Sequence, residues 1–298
     1  MTHVNVGRRL VIMSACSGAI VALSTGLALA DGALDRIKKA GVVKIGVANV
    51  NPYGFVTPDG KVTGQSPELA RTFFKEQGVE KVEAVVTEFG ALIGGLLAGR
   101  FDLVSTGMLI QPDRCQVVAF GNPEYRSDNA FAVAAGNPLS LKSYRDVAQS
   151  PTARLGMLTG AGEIALAKRS GVPKERQVLL PDLTAAMAAL QAGRVDAVVA
   201  STFTLKQAVA RADTQAVEYA ALREQPATEG GKPATRYGAM AFRKEDEDLR
   251  TAWNAWLSKQ LASGRATEIM KPFGFGRDTL PAAGLTSEQV CNGDIPAQ

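Results

Sequence analysis

The sequence predicts an α/β chain of two lobes, and three observations carry that prediction. The segment Ala98-Gly99-Arg100-Phe101-Asp102 recurs as Ala192-Gly193-Arg194-Val195-Asp196. Each copy ends an apolar-periodic helix at a glycine able to take the left-handed conformation, and a short Val-rich strand follows at once. Strands and helices alternate on both sides of a break at Asn137-Pro138, which calls for right-handed crossovers and mixed, mostly parallel sheets flanked by helices. A further strand and an amphipathic helix after the second series can return to the first lobe. A single α/β domain, in which helix–Gly–strand joints recur by chance, is the alternative reading of the repeat.

In order along the chain, residues 1–30 read as an export signal: Arg8 and Arg9 are basic, Leu10 to Leu29 is almost free of charge, and Ala28-Leu29-Ala30 places small residues where a signal peptidase cuts. The mature chain then starts near Asp31, and loss of two arginines lowers the formal charge from +4 to +2. Serines and glycines dilute the apolar run, and no second apolar span follows. So small a net charge without clustered Lys/Arg argues against a nucleic-acid partner. Cys115 and Cys291 are the cysteines left after export, either paired in an oxidising compartment or separate and buried.

Val42 to Ala48 reads as the first strand, and a loop follows from Asn49 to Gly64. Ser66 reads as the cap of a helix with Pro67 at its first position and Glu68 in its first turn. That helix runs to about Gln77 and turns Leu69, Ala70, Phe73 and Phe74 to a core. Strand Val82–Val86, helix Phe89–Ala98 and strand Phe101–Ser105 come next, then shorter strands at Val117–Phe120 and Asn129–Ala134. A brief helix spans Ser143–Gln149. The second series is strand Ala153–Leu158, helix Gly162–Ser170, strand Gln177–Leu180, helix Asp182–Gln191 and strand Val195–Ala200. A Pro/Gly-rich loop covers Arg223–Arg236. Strand Tyr237–Phe242 and helix Asp246–Ala262, bearing Leu249, Trp253, Trp256 and Leu257, close the pattern. The expected division is residues 31–134 with 237–298 in one lobe and 135–236 in the other. Lobes joined by two crossings can hinge shut around a small solute.

The runs Ala48-Asn49-Val50-Asn51-Pro52-Tyr53, Glu88-Phe89-Gly90-Ala91-Leu92-Ile93, Met108-Leu109-Ile110-Gln111-Pro112-Asp113-Arg114-Cys115, Ala241-Phe242-Arg243-Lys244 and Pro272-Phe273-Gly274-Phe275 resemble periplasmic solute-binding proteins of polar amino-acid ABC transporters. The resemblance covers essentially the whole mature chain. Pro112-Asp113-Arg114-Cys115, Cys291 and Gly136-Asn137-Pro138-Leu139 are most similar to ectoine/hydroxyectoine-binding proteins. It implies the type II periplasmic binding protein fold, with two hinge strands between the lobes. It also implies capture of a small solute, delivery to a membrane permease, a monomeric carrier, no cofactor and no chemistry. The residues agree: the single histidine, His3, lies in the leader, and metal-binding, nucleophile-elbow and phosphate-cradling patterns are absent from the sequence. A periplasmic lyase, dehydratase or transglycosylase on a related scaffold is the rival class, with Glu88 or Glu163 as its acid or base. A signalling or interaction module is a third.

The family's site carries over residue by residue. Arg114 is expected to grip a solute carboxylate through its paired donors. Ala161 and Gly162, in Thr159-Gly160-Ala161-Gly162-Glu163, would meet the same group from the second lobe through backbone N–H groups. Tyr53 and Phe89 would offer aromatic faces, a cation–π contribution of about 0.5 to 2 kcal/mol. Amino-acid binders of this class carry an aspartate where Ser201 stands, so a standard α-ammonium is disfavoured. Ectoine-type binders carry a glutamate at the position of Val50 and an aromatic at that of Leu109. Glu88 and Glu163 are candidate counter-charges, and Asn49, Asn129 and Arg236 candidate hydrogen-bonding groups. A further cation at Arg236 would suit a second acidic group on the solute.

Overall fold

Two β-sheets organise the computed structural model, which describes residues 1–3, 31–212, 215–226 and 236–295. The first series is α1 (Ala33–Ala40), β1 (Val42–Val47), a ribbon of β2 (Phe55–Val56) and β3 (Val62–Thr63), α2 (Gln65–Glu76), β4 (Lys81–Val86), α3 (Leu92–Leu97) and β5 (Leu103–Leu109). Then come α4 (Pro112–Cys115), β6 (Ala119–Phe120) and β7 (Tyr125–Ser127). The second series is β8 (Asn129–Ala134), α5 (Tyr144–Gln149), β9 (Leu155–Leu158), α6 (Glu163–Arg169), β10 (Gln177–Leu180), α7 (Leu183–Gln191), β11 (Ala197–Ser201), α8 (Thr202–Arg211) and β12 (Val217–Ala221). Finally β13 (Arg236–Phe242), α9 (Glu247–Ser263), α10 (Arg265–Met270) and α11 (Ser287–Asn292) follow. The leader reading of residues 4–30 and most of the 223–236 loop lie outside the described residues.

The sheets share one plan. The first runs β4-β1-β5-β13-β6 with β7 also on β13, and the second β10-β9-β11-β8-β12. In each, three strands joined through helices are parallel, and a single strand that brings the chain in from the other sheet, β13 in the first and β8 in the second, runs antiparallel to them. The sheets are therefore mixed and mostly parallel in strand direction, as the sequence predicts, with one reversed strand in each. Asn129–Ala134, expected in the first lobe, pairs with β11 and β12 in the second. The crossing sits at Ser127–Asn129, where β7 leaves β13 and β8 begins, and Arg236 already belongs to the first sheet opposite Ser127. Side-chain alternation could not see this: β8 is apolar on both faces and would suit either sheet.

The repeated segment is a structural device. Gly99 and Gly193 sit at φ 68° and 66°, closing the helices before β5 and β11. Asp102 Oδ2 then accepts from Lys44 N–H at 2.8 Å, and Asp102 N–H donates to Lys44 C=O. Asp196 makes the same pair of bonds with Arg154, its Oδ2 accepting at 2.8 Å. Each copy locks a strand start to its parallel neighbour, which sets the register of the strands that end at the cleft.

Ser66 does not cap α2. The helix begins at Gln65 behind Gly64, and Ser66 is buried inside the first turn, where it accepts from Ser105 Oγ at 3.1 Å. α5 and α7 do carry side-chain caps: Ser143 Oγ accepts from Asp146 N–H and Asp182 Oδ1 from Ala185 N–H. Layers cover both faces of each sheet. α1, α2, α9 and α10 bury Phe73, Phe74, Leu249 and Trp253 on one face of the first, while Leu92, Leu96, Phe101 and Val290 fill the other. Cys115 and Cys291 are bonded, with Cα atoms 6.1 Å apart across 176 residues, tying α11 to α4.

Beneath the cleft Glu124 is fully buried, its carboxylate accepting from Gln65 Nε2 at 2.7 Å and from Met240 N–H at 2.9 Å. Burial pushes its pKa up to about 7 against the opposing pull of those two donors. The unfolded chain releases this proton near the ordinary glutamate value, so between the two the folded state holds more protons and stability falls as pH rises. Chemical denaturation is expected to lose up to about 3 kcal/mol between pH 4.5 and 7 through this group, and Glu124→Gln should flatten that slope. Intact mass should rise by about 2 Da, two hydrogens, on reduction, and the reduced protein should unfold more easily, since a closed loop of this length is worth up to about 5 kcal/mol in the chain-entropy model.

Candidate functional site

The strand ends that face each other across the sheets frame a cleft of about 550 Å³, its open mouth included. From the first lobe come Val50 and Tyr53 after β1, Phe89 after β4, Thr106, Gly107 and Leu109 of β5, Arg114 of α4 and Tyr125 of β7. From the second come Leu158 of β9, Ala161, Gly162 and Glu163 at the start of α6, Val199, Ala200 and Ser201 of β11, and Thr204 of α8. The carboxyl ends of parallel strands supply most of the wall, the place where open α/β sheets bind ligands.

Arg114 is 6% exposed, although its helix is a single turn opened by Pro112. Its Nη1 donates to Leu109 C=O and its Nη2 to Gly160 C=O of the second lobe, both at 2.8 Å. The guanidinium carbon lies 5.6 Å from the Phe89 ring centroid. Burial lowers its pKa, with Glu163 the largest opposing influence, yet an arginine so placed stays charged. Each terminal nitrogen has a second N–H beyond its carbonyl bond, so a carboxylate can be received without breaking the tie between lobes.

Tyr53, placed by sequence in an open loop, is 4% exposed and both lines the cleft and belongs to an aromatic cluster. Its ring is 4.8 Å from Tyr125 and 5.5 Å from Phe275. Its hydroxyl donates to Ser127 Oγ at 3.3 Å, and burial raises its pKa, so it stays protonated. Gly107, at φ 68°, makes room for that ring: a Cβ there would lie 2.5 Å from Tyr53 Cδ1. Tyr125 donates to Gly107 C=O at 2.7 Å and holds the turn.

Other candidates fall differently. Glu163 lines the cleft and Arg236 stands behind it, the two joined at 2.6 Å with both side chains 9% exposed. Burial is the largest influence and works against the Arg236 charge, but the attraction and hydrogen bond of Glu163 together with Tyr144 and Tyr53 outweigh it and the pKa is raised. The Ala161 N–H is already spent on Leu158 C=O, leaving it no free donor for a solute. Glu88 is exposed and Asn49 accepts from Val56 N–H; neither lines the cleft. Asn129 also stands off the wall, its Nδ2 donating to Tyr144 Oη at 2.6 Å. Thr106, Tyr125, Leu158, Val199, Ala200 and Thr204 went unread in the sequence. Nothing separates them there from core residues, since strand-end register decides which of them reach the cleft.

Residues 43–277 match the family of bacterial extracellular solute-binding proteins, family 3. The chain is 31% identical over 262 residues to a probable amino-acid ABC transporter periplasmic-binding protein, y4tE, of Sinorhizobium fredii, covering 87% of this chain and 86% of that one. It is 38% identical, with a TM-score of 0.79, to EhuB in a crystal structure with hydroxyectoine, over 88% of this chain and 99% of that one. An ancestral amino-acid-binding protein, described as a precursor of cyclohexadienyl dehydratase, is 26% identical with a TM-score of 0.69 over 80% of this chain and 98% of that one. With a family match that runs through both sheets and both sides of the cleft, this chain belongs to the bacterial extracellular solute-binding proteins, family 3.

Proposed function

We propose that the cleft captures a small carboxylate-bearing solute whose nitrogen is alkylated or part of a ring, such as an ectoine-like compatible solute or a modified amino acid, for delivery to a membrane ABC permease. The observation that carries this reading is Arg114, a buried guanidinium bonded to carbonyls of both lobes and lined up with a cleft wall. A carboxylate there gains charge-assisted bonds from a guanidinium that is itself 6% exposed. Phe89 and Tyr53 provide apolar and aromatic surface for the rest of the solute. Likeness to EhuB, whose crystal structure holds hydroxyectoine, favours that solute class. Ser201 caps α8, its Oγ accepting from Thr204 N–H, where an amino-acid binder would present an acid.

The chain works, on this reading, as a monomer exported to the periplasm with its leader cut near Ala30, without cofactor or turnover. The dehydratase reading needs a free acid or base in the cleft, and Glu163, the acid there, is bound to Arg236. Mass spectrometry after incubation with candidate solutes separates the two: stoichiometric retention of unchanged solute is expected, and a new product would overturn the reading.

Calorimetry across ectoines, betaines, amino acids and small diacids should find binding among solutes with ring or alkylated nitrogen, with ordinary α-amino acids weaker. Arg114→Ala is expected to weaken that binding by about 3 kcal/mol or more, since each bond to a charged partner contributes about 1.5 to 3 kcal/mol. Arg114→Lys should restore only part, because the charge returns without the planar fork.

A further inference from the structure

A carboxylate on Arg114 answers one of the two charges in the cleft wall. The other is Glu163, the only other charged side chain lining the cleft among the described residues. It is 7% exposed and begins α6, so it projects from the second lobe toward the first. Its Oε1 accepts from Arg236 Nη1 at 2.6 Å, and its Oε2 has no hydrogen-bond partner among the described residues. The positions at which the resemblance places an acid for the solute nitrogen hold Val50 and Ser201, neither of which carries charge.

Arg236 is committed to this carboxylate. Its Nε and Nη2 are buried and without partners among the described residues, so its one bond to a carboxylate there is the one to Glu163. A single short bond of this kind fixes one carboxylate oxygen and turns the other away from the arginine. We propose that Glu163, oriented by Arg236, is the specificity-determining acceptor for a cationic nitrogen of the solute, while Arg114 takes the carboxylate. This rests on the reading of the cleft as a carboxylate site and adds to it the charge state of the solute: a zwitterion whose cation meets an acid from the second lobe. An α-ammonium site at position 201 is thereby replaced by one displaced along the wall, which suits a nitrogen set in a ring. Counted with Arg236, the site holds two cations and one anion, so an acid with an uncharged nitrogen is the competing occupant.

Calorimetry sets the two against each other. Hydroxyectoine, ectoine and L-proline serve as ring-nitrogen zwitterions, and L-pyroglutamate as a ring acid whose nitrogen is uncharged. Wild-type protein should bind at least one zwitterion more tightly than L-pyroglutamate. Glu163→Gln should weaken that zwitterion by about tenfold or more while leaving L-pyroglutamate within about threefold. The double variant Glu163→Gln with Arg236→Met removes the unpaired buried cation that the single change creates, and should show the same selective loss with an unfolding temperature close to wild type. Equal weakening of both solute types in the double variant would mean a merely structural role and overturn the proposal. So would unchanged zwitterion binding in Glu163→Gln, or a wild-type preference for L-pyroglutamate. Retention of binding by Arg114→Ala, or no binding of any of the four solutes by wild type, would instead bring down the carboxylate reading and this inference with it.

Discussion

The return of β13 to the middle of the first sheet is the constraint on which the rest of the architecture depends. Every residue of that strand is buried, and it pairs with β5 on one side and with β6 and β7 on the other. The second lobe is therefore an insertion held at both ends by one sheet. Because β7 and β13 enter side by side, Ser127 and Arg236 lie opposite each other at the junction. A hinge built from paired strands bends as a unit, which keeps lobe movement to closing and opening rather than free rotation.

Charge at that junction is arranged in depth. Arg114 meets carbonyl oxygens of both lobes, and Glu163 from the second meets Arg236 from the first. Taken alone, a buried ion pair is weak evidence of stability, since desolvation offsets most of its attraction. Here the pairs cross between lobes, so their energy bears on the balance between open and closed forms more than on the fold of either lobe. Phe203 of α8 stacked on Phe275 at 4.5 Å adds an apolar contact to the same boundary.

Much of this was legible in the sequence because it rests on local chemistry. The helix-ending glycines of the repeated segment and the apolar faces of α2 and α9 are read from spacing alone. Arg114, Phe89, Tyr53 and Gly162 came from resemblance, and the cleft collects them. What sequence could not supply is pairing between distant segments. β8 is apolar on both faces and gives no sign of which sheet it joins; the Tyr53 ring is buried by Tyr125 and Phe275, which are 72 and 222 positions away in the sequence. Arg236 and Glu163 looked like two separate polar residues, because their partnership exists only once both sheets are in place.

The bond between Cys115 and Cys291 has a consequence for how the chain can go wrong. The full sequence holds three cysteines, the third being Cys16 in the leader reading, and three thiols allow three different pairings. Two thiols allow one. Removal of the leader before oxidation would thus leave a single choice, and the partner for the residue beside Arg114 would be settled by counting rather than by proofreading. A chain oxidised with its leader still attached has two wrong pairings open to it, each leaving one half of the native pair unmatched.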